Sequence, residues 1–213
     1  MKKAILAAAL VLAACSTGAH AQMKMPTPSD VAPLKNAIGA NFDKLFVLHA
    51  SMGNKAEVAL GKLAMTHTKN ADVLMVAKTT VAGHSKADAE LTKIAKSLGY
   101  PVPKDAGVAN MATYKMLSGL SGAAFDKAYL AVLVGGHEQT TVLLQHEVEH
   151  GKVASLKTFA SKTLLDVLGH TSMIYDVAGK VMAPGSELRP AAVKQAAKSV
   201  HMKVMPKMAM GKM

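Results

Sequence analysis

The chain reads as an all-α protein, a four-helix bundle made of two antiparallel hairpins joined by a long crossover. Three observations predict this. Strand-like alternation of apolar and polar residues is absent, while Ala, Leu, Lys and Met dominate four long segments in which apolar residues recur every three or four positions. The first and last joints between those segments are short, and the middle one is long.

The chain begins with an export leader. Met1-Lys2-Lys3 is a positive start, "AILAAALVLAA" (Ala4 to Ala14) is an apolar run of signal-peptide length, and small residues follow. Two processing readings stand side by side. "LAAC", Leu12 to Cys15, looks like a bacterial lipobox, with the signal ending at residue 14 and Cys15 lipidated; "AHA" before Gln22 suits ordinary signal peptidase, with the signal at 1–21. Either reading places the mature protein in the periplasm or at the outer membrane. No second membrane span follows the leader. Since Cys15 is the only cysteine, the mature domain has no disulfide, and its stability must come from a core. About 190 residues remain for one domain, and half of all residues are apolar, so such a core is available.

The bundle is expected over residues 38–183. Its first helix spans about 41 to 67, the second 71 to 98, the third 122 to 150 and the fourth 154 to 182. Asn70 and Ser121 suit N-caps, Gly99 and Gly151 suit C-terminal stops, and "YPVP" (Tyr100 to Pro103) cannot continue a helix. Helices one and two are separated by about three residues, as are three and four, so each pair forms an antiparallel hairpin. Between the hairpins, Tyr100 to Ser121 leaves room for a short helix around Met111 to Leu117. A connection that long can run the length of a bundle, which is the ferritin-like arrangement with one crossover. After Ala183-Pro184-Gly185 the chain leaves the bundle as a basic, Met-rich tail, 184–213, with a short helix expected near Ala191 to Val200.

Four segments together resemble a known family. "NKAEVALGKLA" (Asn54 to Ala64), "GHSKADAELTKIAKSLG" (Gly83 to Gly99), "LSGAAFDKAYLAVLVGGHEQT" (Leu120 to Thr140) and "LKTFASKTLLDVLGHTSM" (Leu156 to Met173) are similar to the bacterial domain-of-unknown-function family 4142. The resemblance runs over roughly residues 40 to 180, in order and at the right spacing, and leaves out the tail. It implies an exported, ferritin-like four-helix protein of the periplasm or outer membrane, and it carries almost nothing about activity. The family tends to have an acidic residue just before the histidines of the second and third helices, whereas this chain has Gly83 and Gly136. If those carboxylates support the histidines from behind, this protein lacks them.

The residues that could carry chemistry are polar ones on apolar stripes. His84 lies in the row Ala77, Val81, Ala87, Leu91, Ile94; His137 in the row Leu130, Leu133, Thr141, Leu144, Val148; His170 in the row Leu156, Ala160, Thr163, Val167, Ile174, Val177. Glu57 lies in the row Phe46, Ala50, Gly53, Leu60, Ala64. Each is near the middle of its helix, so an antiparallel bundle brings all four to one level. Three imidazoles and a carboxylate there suit a transition metal such as copper or zinc; a structural polar layer, with Glu57 paired to His84 or His137, is the competing reading.

Other chemistries fit less well. Ferritin-like di-iron sites need Glu-x-x-His pairs, but the residues three before His84, His137 and His170 are Val81, Val134 and Val167. "HEVEH", His146 to His150, matches the zinc-protease pattern H-E-x-x-H, yet it sits at the end of its helix with charged Glu149 inside and no third ligand downstream. No catalytic constellation emerges, and the chain is not read as an enzyme.

The tail carries His201, Met202, Met205, Met208, Met210 and Met213 beside Lys203, Lys207 and Lys212. Thioethers are soft donors that suit Cu(I), bind without losing a proton and meet no competition from lysine; a low-complexity end that scavenges oxidants is the alternative. The formal net charge of +11 falls to about +9 once Lys2 and Lys3 are removed, since 11 minus 2 is 9. With no Trp, four Phe and four Tyr, nucleic acid is a poor partner; anionic envelope lipids are the nearer anions, and a lysine-rich solvated surface that keeps the protein soluble is the competing reading. Two function classes therefore stand: an envelope protein that binds copper through its tail and its His/Glu layer, and a non-metal structural or stress-related bundle.

Overall fold

The structure, a computed structural model, describes residues 28–182, with side chains from Phe42 onward. The expected leader with Cys15, the short helix expected near Ala191 to Val200, and the candidate tail donors His201, Met202, Met205, Met208, Met210 and Met213 lie outside the described residues. Five helices follow in order: α1 (Pro28–His67), α2 (Ala71–Ser97), α3 (Val108–Ser118), α4 (Gly122–His150) and α5 (Ala154–Met182). Among the described residues there is no strand, and no helix is long and apolar enough to cross a membrane.

α1 starts well before the expected residue 41. Pro33 and Gly39 argue against helix from the sequence, whereas Pro28 opens α1 at the position where a proline costs least. At the far end of the hairpin, Asn70 caps α2 as expected: its Oδ1 accepts from Asp72 N and Val73 N at 2.9 and 3.3 Å. α2 stops at Gly99, whose φ of +68° suits glycine, and Tyr100 N turns back to Ala95 O at 2.9 Å. Gly151 ends α4 differently. Its φ is −54°, so no left-handed turn is involved; instead a Cβ there would strike the Glu147 carboxyl and carbonyl.

The packing order is a square, α1 beside α2, α2 beside α5, α5 beside α4 and α4 beside α1. Contacts at the helix ends fix the directions. Asp43, early in α1, accepts from Lys152 N and Val153 N in the α4–α5 turn at 2.9 and 3.1 Å, and His67, at the end of α1, stacks near Phe125 at the start of α4. α1 and α4 are therefore antiparallel. Lys180 of α5 pairs with Asp72 of α2 at 3.0 Å, and Lys162 with Glu90 at 3.1 Å, so α2 and α5 are antiparallel too. It follows that α2 and α4 run the same way, and the link between them must travel the bundle's length. α3 lies in that link and is pinned by buried Leu117.

The core comes in two halves. Leu60, Leu63, Val73, Val76, Leu117, Phe125, Tyr129, Leu130, Leu133, Ile174 and Val177 fill the end near the α1–α2 turn. Phe46, Val47, Leu91, Leu144, Leu156, Phe159, Leu164, Val167 and Leu168 fill the other. Burial of each large side chain contributes about 1.5–3 kcal/mol. Polar side chains occupy the level between the halves: Ser51, Asn54 and Glu57 from α1, Thr80 and His84 from α2, His137 from α4 and Thr171 from α5 are all buried.

Candidate metal centre

Some members of this layer satisfy themselves locally. Thr80 donates to Ala77 O at 3.1 Å and Thr171 to Val167 O at 2.7 Å, the usual back-bond of a hydroxyl within its own helix. The histidines cannot do this with both ring nitrogens. His137 spends Nδ1 on its own helix, 3.0 Å from Leu133 O. Since a carbonyl only accepts, Nδ1 carries the proton and Nε2 carries a lone pair. His84 Nδ1 lies 2.9 Å from Asn54 Oδ1 on α1. With that amide oxygen accepting, His84 also has its lone pair on Nε2.

The two Nε2 atoms then face each other at 3.4 Å. No proton lies between them in these tautomers. His170 completes a triangle: ring centroids are 5.3 Å apart for His84 and His137, 5.6 Å for His84 and His170, and 5.9 Å for His137 and His170. One nitrogen from each ring can be chosen so that all three lie within 4.8 Å of one another. His84 and His137 are buried, whereas His170 is half-buried and its Nδ1 has no hydrogen-bond partner.

Burial keeps the three rings uncharged. It lowers the His84 pKa to about 3, with His137 and His170 nearby adding repulsion, and lowers His137 to about 4, with His170 adding to it. His170 is lowered as well, again by burial, with Asp166 pulling the other way. Neutral imidazole is the ligating form, so near neutrality all three stand ready without losing a proton.

Glu57 takes a different place from the one expected. As a fourth ligand it belonged at the centre beside the histidines, but it stands behind His137, the neighbour that the polar-layer reading gave it, with Oε1 3.6 Å from Nδ1, the nitrogen that faces away from His84. It is thus a neighbour of His137 on the side away from the other two rings. Burial pushes its pKa up to about 8, and its Oε2 is buried without a partner.

The two glycines that set the chain apart from the expected family pattern have steric work. A Cβ on Gly83 would run into the His170 ring, and one on Gly136 would lie 3.0 Å from Glu57 Oε1. Missing side chains at these two positions let His170 and Glu57 approach the layer.

"HEVEH" does not form a zinc-protease site. His146 and His150 are exposed with rings 4.6 Å apart, but the glutamate between them, Glu147, is fully buried and packs on Gly151. Burial and neighbouring Asp43 raise its pKa. Its carboxyl points into the bundle while the imidazoles point out, so the three cannot act on one ligand. Sequence reasoning also passed over Asn54, although its position one turn before Glu57 on the same face was a usable signal.

No curated protein matches the chain. Among solved structures, it is similar to a DUF305 protein of Streptomyces coelicolor described as secreted, at 16% identity and a TM-score of 0.57, covering 72% of this chain and 96% of that one. At that identity the likeness concerns the fold, and it fits an all-α bundle. A model of the domain of unknown function DUF4142 matches residues 28–177, from the first turn of α1 into the last turns of α5 and including Glu57, His84, His137 and His170. The chain belongs to the DUF4142 family.

Proposed function

We propose that this is an exported metal-binding bundle that holds a transition metal, Cu(I) before others, on His84, His137 and His170. One observation carries the reading: two imidazole Nε2 atoms stand 3.4 Å apart inside a buried layer, both with lone pairs when Asn54 Oδ1 accepts from His84. Left alone, that contact is repulsive. Ligands about 2.0 Å from a metal and about 110–120° apart are about 3.3–3.5 Å from each other, so the spacing is that of two nitrogens sharing one ion. With the three nitrogens within 4.8 Å of one another, His170 needs to close by up to about 1.4 Å to join them.

Charge favours a monovalent ion. Three neutral nitrogens supply no counter-charge, and the buried carboxyl beside His137, Glu57, is held protonated by burial. A divalent ion would have to ionise Glu57 or carry its charge into a core uncompensated. Cu(I) asks for less. The thioethers of Met202, Met205, Met208, Met210 and Met213, with His201, suit the same ion and would serve as a second, softer binding element in the tail. The leader supports an address in the periplasm or at the outer membrane, the latter if Cys15 is lipidated, and the secreted description of the DUF305 neighbour points the same way.

The test is a Cu(I) competition titration under reducing conditions. Three proteins are compared: the full mature chain, a truncation after Val200, and the full chain with His84→Ala and His170→Ala. Loss of one tight equivalent in the double histidine variant, with retention in the truncation, is the expected result. If the histidine variant binds as tightly as wild type, the layer is a structural polar layer and the centre proposed here does not exist.

A further inference from the structure

Two openings approach the layer. A cavity of about 650 Å³ between α1 and α4 ends on Glu57, which lies behind His137. A groove of about 760 Å³ between α2 and α5 is lined by Gly83, Asp166, Gly169 and His170 itself. Of these two, the groove is the one lined by a ring of the triad. The three histidines also differ in how they are held. His84 is tied to Asn54 and His137 to Leu133 O, whereas His170 is half-buried with Nδ1 unpartnered.

Building on the metal reading above, we propose that the metal enters and leaves through the α2–α5 groove, with Asp166 and His170 as the pair that captures and releases it. Asp166 and His170 are four residues apart on α5, one helical turn, and line the same groove. Asp166 is exposed, His170 half-buried, and His84 and His137 buried, so the donors form a graded path from water to the core. A cation meets the exposed carboxylate first, passes to the untethered imidazole, and reaches the two fixed rings when that imidazole turns inward. His84 and His137 do not move. Gly83 supplies the space for the His170 ring.

Charges along the groove act on the rate. Lys162 is offset by Glu90 at 3.1 Å, while Lys78 and Lys86 on the α2 side pair with no carboxylate among the described residues. Their ammonium groups oppose a bare cation and slow its arrival.

Three substitutions separate the routes. A Cβ at Gly169 or at Gly135 meets nothing within 4 Å, so a larger side chain can start from either position without a clash at its first carbon. Gly169→Leu obstructs the groove, and Gly135→Leu obstructs the α1–α4 cavity. Asp166→Asn removes the capturing charge at an exposed position where folding is not at stake. The background is the full-length mature chain with its five tail methionines changed to leucine and His201 changed to alanine, so that the tail donors are removed. Cu(I) is offered as its acetonitrile complex, loading is followed in stopped flow, and affinity is measured separately against a chromophoric competitor.

Gly169→Leu and Asp166→Asn are expected to slow loading and release at least about tenfold while changing affinity less than about threefold, with Gly135→Leu loading like the parent. Slowing by Gly135→Leu, or unchanged rates in both Gly169→Leu and Asp166→Asn, overturns the route and leaves the metal centre standing. A parent that binds no Cu(I) overturns the metal centre and the route together.

Discussion

Replacing Glu57 by glutamine should stabilise the metal-free protein near neutral pH, by an amount that depends on pH in a defined way. Burial raises the Glu57 carboxyl from the ordinary 4.5 to about 8, so the folded state keeps a proton that the unfolded chain gives up. The sign follows from linkage. Below about pH 4.5 the carboxyl is protonated in both states and contributes no penalty; as pH rises towards 8 the unfolded state is favoured by about 1.4 kcal/mol per unit. At about pH 7 this amounts to about 3 kcal/mol, and it levels off near 5 kcal/mol above pH 8. Glutamine has nearly the same shape and no proton to lose. Glu57→Gln and wild type should therefore be equally stable near pH 4.5 and separate by about 3 kcal/mol near pH 7, with the variant the more stable. The histidines contribute an opposite trend, because their lowered pKa values remove stability as pH falls from 6.5 through about 4 and 3. That trend is common to both proteins and cancels in the difference. With no Trp in the chain, urea unfolding is best followed by far-ultraviolet circular dichroism, with metal removed by a chelator. A difference that stays flat with pH, or that favours wild type at neutrality, would refute the account of Glu57.

Other expected outcomes test the remaining parts. Asn54→Ala leaves buried His84 Nδ1 without its partner at 2.9 Å; it should cost about 1–3 kcal/mol in urea unfolding and weaken Cu(I) binding about 10–100-fold in competition titration. Gly83→Ala drives a methyl into the His170 ring, so affinity should fall at least about tenfold, while Gly169→Ala, with open space around it, should bind like wild type. Asp43→Ala removes the acceptor for Lys152 N and Val153 N, and should cost about 1 kcal/mol, with faster hydrogen exchange at those two amides. Leu133→Ala, in the centre of one core half, should destabilise by about 2–5 kcal/mol without changing metal stoichiometry.

Much of this site was legible because helices impose a period. His84, His137 and His170 each occupy the middle of an apolar row on a helix of 27 to 29 residues, and short turns force such helices into register. Level and inward direction follow from spacing alone. What spacing does not carry is the rotation of a ring or the identity of a neighbour on another helix. Glu57 shares a row with core residues, yet its carboxyl reaches the outer nitrogen of His137 rather than the centre. His170 looked as enclosed as its two partners but lies at a groove, because Gly83 and Gly169 leave the α2–α5 seam thin there. The glycines themselves read as departures from a family pattern, and only the fold reveals which side chains use the room. Gly151 was a correct stop for a different reason: it clears space for Glu147, whose burial against Asp43 depends on a contact between α1 and the far end of α4.

The polar layer has an architectural consequence beyond its chemistry. His84 belongs to the first hairpin, and His137 and His170 to the second, with 53 residues separating His84 from His137. An ion bound to all three rings would therefore stitch two halves of a chain whose only cysteine is Cys15. Closing a loop of that length restricts the unfolded chain by about 4 kcal/mol in the chain-entropy description of a crosslink. Such a stitch is undone by a chelator rather than a reductant, so the resistance of the bundle to pulling apart at the seam between its hairpins would rise and fall with the supply of metal around it.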